Sequence, residues 1–277
     1  MNCKQILSTA LAAVLTAFAA TTISSCGGGD AVTQQTDSAL ALKARVDSAM
    51  AAGQYSEAVS LIDTISKRYP LATEVRKSLI PVRAKAMEDS IVKAIPQLDL
   101  SIANLKGVID TERARFVTQT TSSNFPPVLV YRGTQGPMTG SARIQARVST
   151  GDEEELNPWC LAVSAGKNIG MSSLQVVTRS GEQFTIAVPA SEYEQATVPM
   201  EDVTPLARQL ADNGDVITSM TASGSHGTAR IPVSAVQSDG LAAAYRLVTA
   251  RDSLRSLMML REKAERILQL ARDQSVN

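Results

Sequence analysis

Between Asp37 and Thr118 apolar positions recur every three or four residues, the period of an amphipathic helix. Leu40, Ala44 and Ala51 lead to a break at Gly53; Ala58, Val59, Ile62 and Ile65 then mark a second helix, which Pro70 stops. A further helical stretch runs from Thr73 to Ile95, with Pro81 expected to kink or split it. Past Pro96 another runs from Gln97 to Val117, its face lined by Leu98, Ile102, Leu105, Ile109 and Phe116. The period then changes. Phe125-Pro126-Pro127 blocks helix continuation and Val128–Tyr131 is apolar and β-branched. Ser141–Val148 alternates strictly, Ile144, Ala146 and Val148 on one face against Arg143, Gln145 and Arg147 on the other. Leu161–Val163 and Leu174–Thr178 are further strands, the latter turning through Arg179–Glu182 into Phe184, Ile186 and Val188. Glu201–Asn213 reads as a short helix ended by Gly214. Val216–Ala222 and Thr228–Val233 form a hairpin across Ser223–Gly227.

The chain ends in a long helix. Ser234 and Gln237 fit a capping box, with Asp239-Gly240 as a competing later start. Leu247, Ala250, Leu254, Leu257, Ala264, Leu268 and Ala271 hold a three-four alternation interrupted by Arg261. Leu260 and Ile267 widen that stripe, which favours burial against several helices over a two-stranded coiled-coil seam. The expected fold is α+β: an N-terminal helical region and the long C-terminal helix form a bundle or stalk, into which an antiparallel, sandwich-like β head of about seven strands is inserted.

Composition narrows the chemistry. Lys+Arg and Asp+Glu are 27 each, a balance that argues against nucleic acid as a partner, because phosphate binding needs clustered positive charge. With 44% hydrophobic and 19% charged residues, the chain has enough apolar surface for a core. One His and three Cys exclude a zinc-finger array or a disulfide-stapled mini-domain.

The first residues carry the most specific pattern. Lys4 precedes an uncharged run from Ile6 to Ala20, too short to span a bilayer and matching the apolar core of a secretory signal. It leads to Ile23-Ser24-Ser25-Cys26 and then Gly27-Gly28-Gly29. This order of an aliphatic residue, two small residues and a Cys resembles the lipobox of bacterial lipoproteins. The resemblance implies a signal peptide over residues 1–25, removal of Cys3 with it, and lipid attachment at Cys26. A multi-chain acyl (palmitate-type) anchor would hold the protein stably on a membrane. Gly27, rather than Asp, after the Cys implies the outer membrane of the bacterial cell envelope. Residues 26–36 then read as a flexible tether. A competing reading cuts after Ala17-Phe18-Ala19 and releases a soluble protein. The expected layout is completed by an N-terminal helical region over 37–118, a β-rich head over 119–233 and the C-terminal helix over 234–277 packing on the N-terminal helices. The whole layout loosely resembles uncharacterised helix–β–helix envelope lipoproteins. Gly53, Tyr55, Ala58 and Pro70 also resemble the second helix of a tetratricopeptide repeat, but no second copy follows at that period, so the segment reads as a helical hairpin.

Candidate chemistry is sparse. Cys160, in an apolar run, reads as a small buried hydrophobe rather than a nucleophile. His226, the single histidine, sits at a Gly/Ser-rich hairpin tip that gives a catalytic base little orientation. Asp152–Glu155 is a contiguous acidic run, without the alternating spacing of a calcium loop. Gly166–Gly170 lacks the order of a phosphate-binding loop, and Glu192 with Glu194 carries no separation that would mark a glycosidase. Sugar-binding faces usually need aromatic platforms, and Trp159, Tyr131 and Tyr193 are the head's only aromatics beside two Phe, which counts against glycan binding without excluding it. The expectation is therefore no catalytic residue, no metal and no cofactor. The protein would be a lipid-anchored, non-enzymatic interaction or scaffold module with a protein partner. A small-molecule or glycan-binding module and an envelope hydrolase are the alternatives.

Overall fold

The computed structural model describes residues 28–120, 126–150, 159–189, 191 and 193–276. The fold is α+β. In chain order the described elements are α1 (Gly28–Ala51), α2 (Tyr55–Arg68), α3 (Thr73–Arg113), β1 (Phe116–Gln119), β2 (Val128–Tyr131), β3 (Ala142–Ser149), β4 (Trp159–Ala165), β5 (Met171–Thr178), β6 (Gln183–Ala187), β7 (Gln195–Pro199), α4 (Met200–Asn213), β8 (Ile217–Gly224), β9 (Gly227–Arg230) and α5 (Ala235–Val276). The described elements form two compact units, one of residues 28–100 with 259–276 and the other of the described residues between 101 and 258. The inserted unit is thus wider than the expected 119–233, because the end of α3 and the first half of α5 belong with the sheets.

The first unit is helical. Small side chains let α1 and α2 approach: Ala39, Val46 and Ala49 meet Ala58, Ile62 and Ile65, and Val75, Leu79 and Ala86 of α3 join the same cluster. The buried face of α1 is displaced from the expected one, since Leu40 is 48% exposed. Gly53, at φ 69°, makes the turn that a side chain would strain. Residues 28–36, expected to be tether, are already helical; Asp30 sits in the first turn, where the helix dipole favours a carboxylate. Helix α3 runs continuously through Pro81 and Pro96, so Pro81 does not split it and Pro96 does not stop it. Both prolines, and Lys77 and Val92 whose carbonyls lose a donor, are exposed, so solvent can satisfy the freed groups. Within this unit Asp99 pairs with Arg261 at 2.5 Å and Glu88 with Arg272 at 3.3 Å. Eleven residues separate the partners on each helix in opposite senses, so these parts of α3 and α5 run antiparallel. Of the stripe in this unit, Leu260 is 43% exposed and Ala264, Ile267 and Leu268 are half-buried, so its wide side is not fully buried; Ala271 is.

The second unit holds two antiparallel sheets, β1-β2-β3-β4-β7 and β6-β5-β8-β9. One hydrophobic cluster draws on both. Leu129, Ile144, Val148, Leu161 and Val163 come from the first sheet, Leu174, Val176, Met220 and Ala222 from the second, Leu206 and Leu210 from α4, and Leu241, Ala244 and Leu247 from α5. Helix α4 touches β4 and β7 of one sheet and β6 of the other, so the core is sheet and helix together rather than a plain sandwich. Gly214 ends α4 in the left-handed conformation (φ 61°, ψ 28°) that its lack of Cβ permits.

Helix α5 starts at Ala235, and the expected capping box is present: Gln237 N donates to Ser234 Oγ at 3.2 Å and Ser234 N to Gln237 Oε1 at 2.9 Å. Asp239-Gly240 lies inside the helix, where Gly240 packs closely on Tyr131: a Cβ there would come 3.0 Å from that of the tyrosine. Replacing Ser234 by Ala removes one half of the box and should lower stability by about 1 kcal/mol, read from urea unfolding.

Candidate functional site

Two polar constellations stand out in the sheet unit. The first joins the end of α3, strand β2 and the start of α5. Arg115 Nη2 donates to Tyr131 Oη and to Asp239 Oδ2, each at 2.7 Å, and Tyr131 Oη donates to the same Asp239 oxygen. Glu112 bridges Arg115 at 3.1 Å and Arg246 at 3.2 Å, and Arg246 reaches Asp239 at 3.6 Å. The Arg115 guanidinium also lies 5.1 Å from the centre of the Tyr131 ring. Burial pulls the Asp239 carboxyl up, but the Tyr131 hydroxyl and the two guanidinium groups outweigh it and hold it below its ordinary value. Burial likewise pulls Arg115 down, and its bonds to Tyr131 and Asp239 overcome that and raise it. Two cations face two carboxylates, and each finds its partner within the set. This is a clamp between elements.

The second constellation is a cleft on the outer face of the five-stranded sheet. Alternation sends Ile144, Ala146 and Val148 of β3 into the core and leaves Arg143, Gln145 and Arg147 on the other side. Across the ladder Gln145 faces Ala162 and Arg147 faces Cys160; Ala162 in turn faces Thr197 of β7, and Ser164 faces Gln195. Ala162 is short, and the result is a cavity of about 250 Å³ lined by Arg147, Ala162, Pro189, Ser191, Gln195 and Thr197. A second, of about 440 Å³, shares Gln195 and is lined by Thr139, Tyr193 and Glu194.

Arg147 is positioned by a relay of neutral groups. Gln145, 1% exposed, donates Nε2 to the Thr134 carbonyl at 2.8 Å, and its Oε1 accepts Arg147 Nε at 2.9 Å. The segment between β2 and β3 thus fixes the amide, and the amide fixes the guanidinium. Arg147 makes no ion pair with a described carboxylate, whereas its neighbour Arg143 is engaged by the carbonyls of Thr134, Gln135 and Pro137. Burial pulls the Arg147 pKa down, opposed only weakly by Cys160. Burial pushes the Cys160 thiol up despite Arg147 beside it, so Cys160 stays protonated and unreactive at neutral pH.

The residues singled out by sequence scatter. Cys26 with its lipobox, the run Asp152–Glu155, and Glu192 lie outside the described residues. Cys160 is half-buried beside Arg147 rather than fully buried. His226 is exposed in the two-residue turn between β8 and β9. Its Nδ1 is 3.3 Å from Ser225 Oγ, and no described carboxylate forms an ion pair with it. The Gly166–Gly170 stretch is a packing loop: the carbonyls of Ile169 and Gly170 accept the N–H groups of His226 and Ser225, so close that a Cβ on Gly224 would sit 2.2 Å from the Gly170 oxygen. Glu194 accepts the Gly140 N–H at 2.7 Å. Trp159 is 2% exposed and belongs to the core, Tyr131 belongs to the clamp, and Tyr193, 75% exposed, is the candidate platform that faces solvent. Arg147 was legible only as one polar position of an alternating strand; its signal would have been a long cation opposite small residues. The chain matches no protein-family model, and neither the curated proteins nor the solved structures include one detectably similar to it.

Proposed function

We propose that the protein is a lipid-anchored component of the bacterial cell envelope, held on the outer membrane through Cys26, that works without catalysis as an interaction module. The sheet unit is its binding part, and a protein of the envelope is its partner. The observation that carries this reading is the cleft. Its one charged anchor, Arg147, is oriented by the neutral amide of Gln145, and the adjacent Cys160 is kept protonated, an arrangement suited to holding a ligand rather than to moving protons. A photoreactive residue at Thr197, on the cleft rim, should crosslink one specific protein in intact cells. Absence of any specific adduct there and at Tyr193 would overturn the protein-partner reading. The anchor has its own test. The intact mass of the chain from its native membranes should correspond to a start at Cys26 plus acyl chains, and a lipid-free species starting near Ala20 would sink it.

A second reading is favoured by the same cleft: a small molecule or glycan is the ligand. The two depressions are open and adjoin at Gln195; the first, about 250 Å³, is below the usual size of a ligand site and the second, about 440 Å³, is within it and bordered by the exposed Tyr193.

A further inference from the structure

We propose that the Arg147 cleft binds the carboxylate of an acidic sugar, with the guanidinium clamping the anion over the Ala162 floor and the sugar ring lying toward Tyr193. The inference rests on the glycan reading of the cleft and gives its ligand a chemical class.

A guanidinium has five N–H donors in a planar fork. At Arg147 the Nε–H is committed to Gln145 Oε1, and Gln145 is pinned by the Thr134 carbonyl and, at 3.4 Å, by Gln119 Oε1. Arg147 lines the cavity, its Nε–H is the donor held by Gln145, and it forms no ion pair with a described carboxylate. A bound carboxylate supplies this half-buried guanidinium with two parallel charge-assisted hydrogen bonds in a partly desolvated site. The rim selects among anions. Glu194, in the adjoining cavity, already carries one negative charge, which repels a second anionic group there. One guanidinium balances one carboxylate, whereas a phosphate monoester near two negative charges leaves a surplus facing Glu194. The remainder of the ligand must therefore be neutral and polar. Thr197, Thr139 and Gln195 supply hydroxyl and amide groups along its path, and Tyr193 offers an exposed ring for the apolar face of a pyranose. A uronic acid combines these features.

The test uses the full chain in detergent, titrated calorimetrically with a glucuronate-containing disaccharide, its neutral glucose counterpart and inorganic phosphate. Saturable binding of the glucuronate form is expected, at least tenfold tighter than either of the others. Arg147→Gln should weaken it tenfold or more and Arg147→Lys less. Tyr193→Ala should weaken it several-fold, and Ala162→Leu should abolish it by filling the floor. An unchanged thermal unfolding midpoint identifies variants that fold normally; if Ala162→Leu fails that criterion, Arg147→Gln and Tyr193→Ala carry the test. Absence of glucuronate binding, equal binding by Arg147→Gln, or tighter binding of phosphate would each overturn the proposal. If the disaccharide is silent while the Thr197 crosslink still forms, the acidic-sugar site falls and the interaction reading stands. Cleavage of the bound disaccharide would instead overturn the non-catalytic reading and leave the site in place.

Discussion

Replacing Trp159 by Ala is expected to destabilise the sheet unit by about 3–5 kcal/mol, the range for truncating a buried tryptophan where the surroundings collapse only in part. Trp159 opens β4, is 2% exposed and packs in the cluster shared by both sheets and the helices. It stands opposite Val148, one position from the Arg147–Cys160 pair, so its ring supports from beneath two of the three strands that carry the cleft. Because it is the single tryptophan, the variant loses the chain's indole fluorescence, and unfolding is followed by far-UV circular dichroism in urea. Trp159→Phe, which keeps most of the volume, should recover more than half of the loss. Equal stability of wild type and Trp159→Ala would mean that this end of β4 does not form part of the core. Ligand affinity at Arg147 should fall in the Ala variant even at temperatures where it is folded, since the β3–β4 ladder positions the guanidinium.

The parts of this fold that can be read from sequence are those where a single local rule meets no competitor. The alternation of Ser141–Val148 survives as β3 because one face meets the core and the other a polar surface. Ser234 and Gln237 cap α5 as their spacing dictates, and Gly214 ends α4 where a left-handed residue is required. Elsewhere tertiary context decides. Phe116 continues the helical period of Leu105 and Ile109, yet it belongs to β1, because pairing with Tyr131 places its ring edge-on to the tyrosine, 5.7 Å between centroids. Gln195–Pro199 carries no strand signal in its sequence: it is five residues long, ends in proline and lies at a sheet edge, where the missing N–H is tolerated. The prolines of α3 are overridden by exposure. The cleft is harder still to foresee, since it needs three strands brought side by side and depends on the smallness of Ala162, a residue with no chemistry of its own.

Asp239 carries the second large effect, and it is pH-dependent. Changing it to Ala leaves Arg115 and Arg246 to share Glu112 and strips Tyr131 of its acceptor. Breaking a fully buried pair costs about 3–5 kcal/mol and an exposed one at most about 1. The Asp239 side chain is 45% exposed and those of the two arginines about a third, so solvent screening places the loss between, at about 2–3 kcal/mol at neutral pH. The sign of the pH dependence follows from the depressed carboxyl. The folded state binds the proton less readily than the unfolded chain, so the clamp's contribution is complete above the unfolded carboxyl value near 4 and drains away as pH falls through the lower folded value. Tyr131 acts at the other end. Burial first, and then Asp239, raise its hydroxyl, so its contribution is complete below the ordinary tyrosine value near 10 and is lost as pH climbs through the higher folded value. Urea unfolding of wild type and Asp239→Asn should therefore differ most between pH 5 and 9, and the two should converge toward pH 3. Tyr131→Phe should flatten the alkaline limb and leave Arg115–Asp239 to hold the acid one. A stability gap that did not change between pH 7 and pH 3 would show that Asp239 acts through packing, and that the charge of the clamp contributes nothing to holding α3, β2 and α5 together.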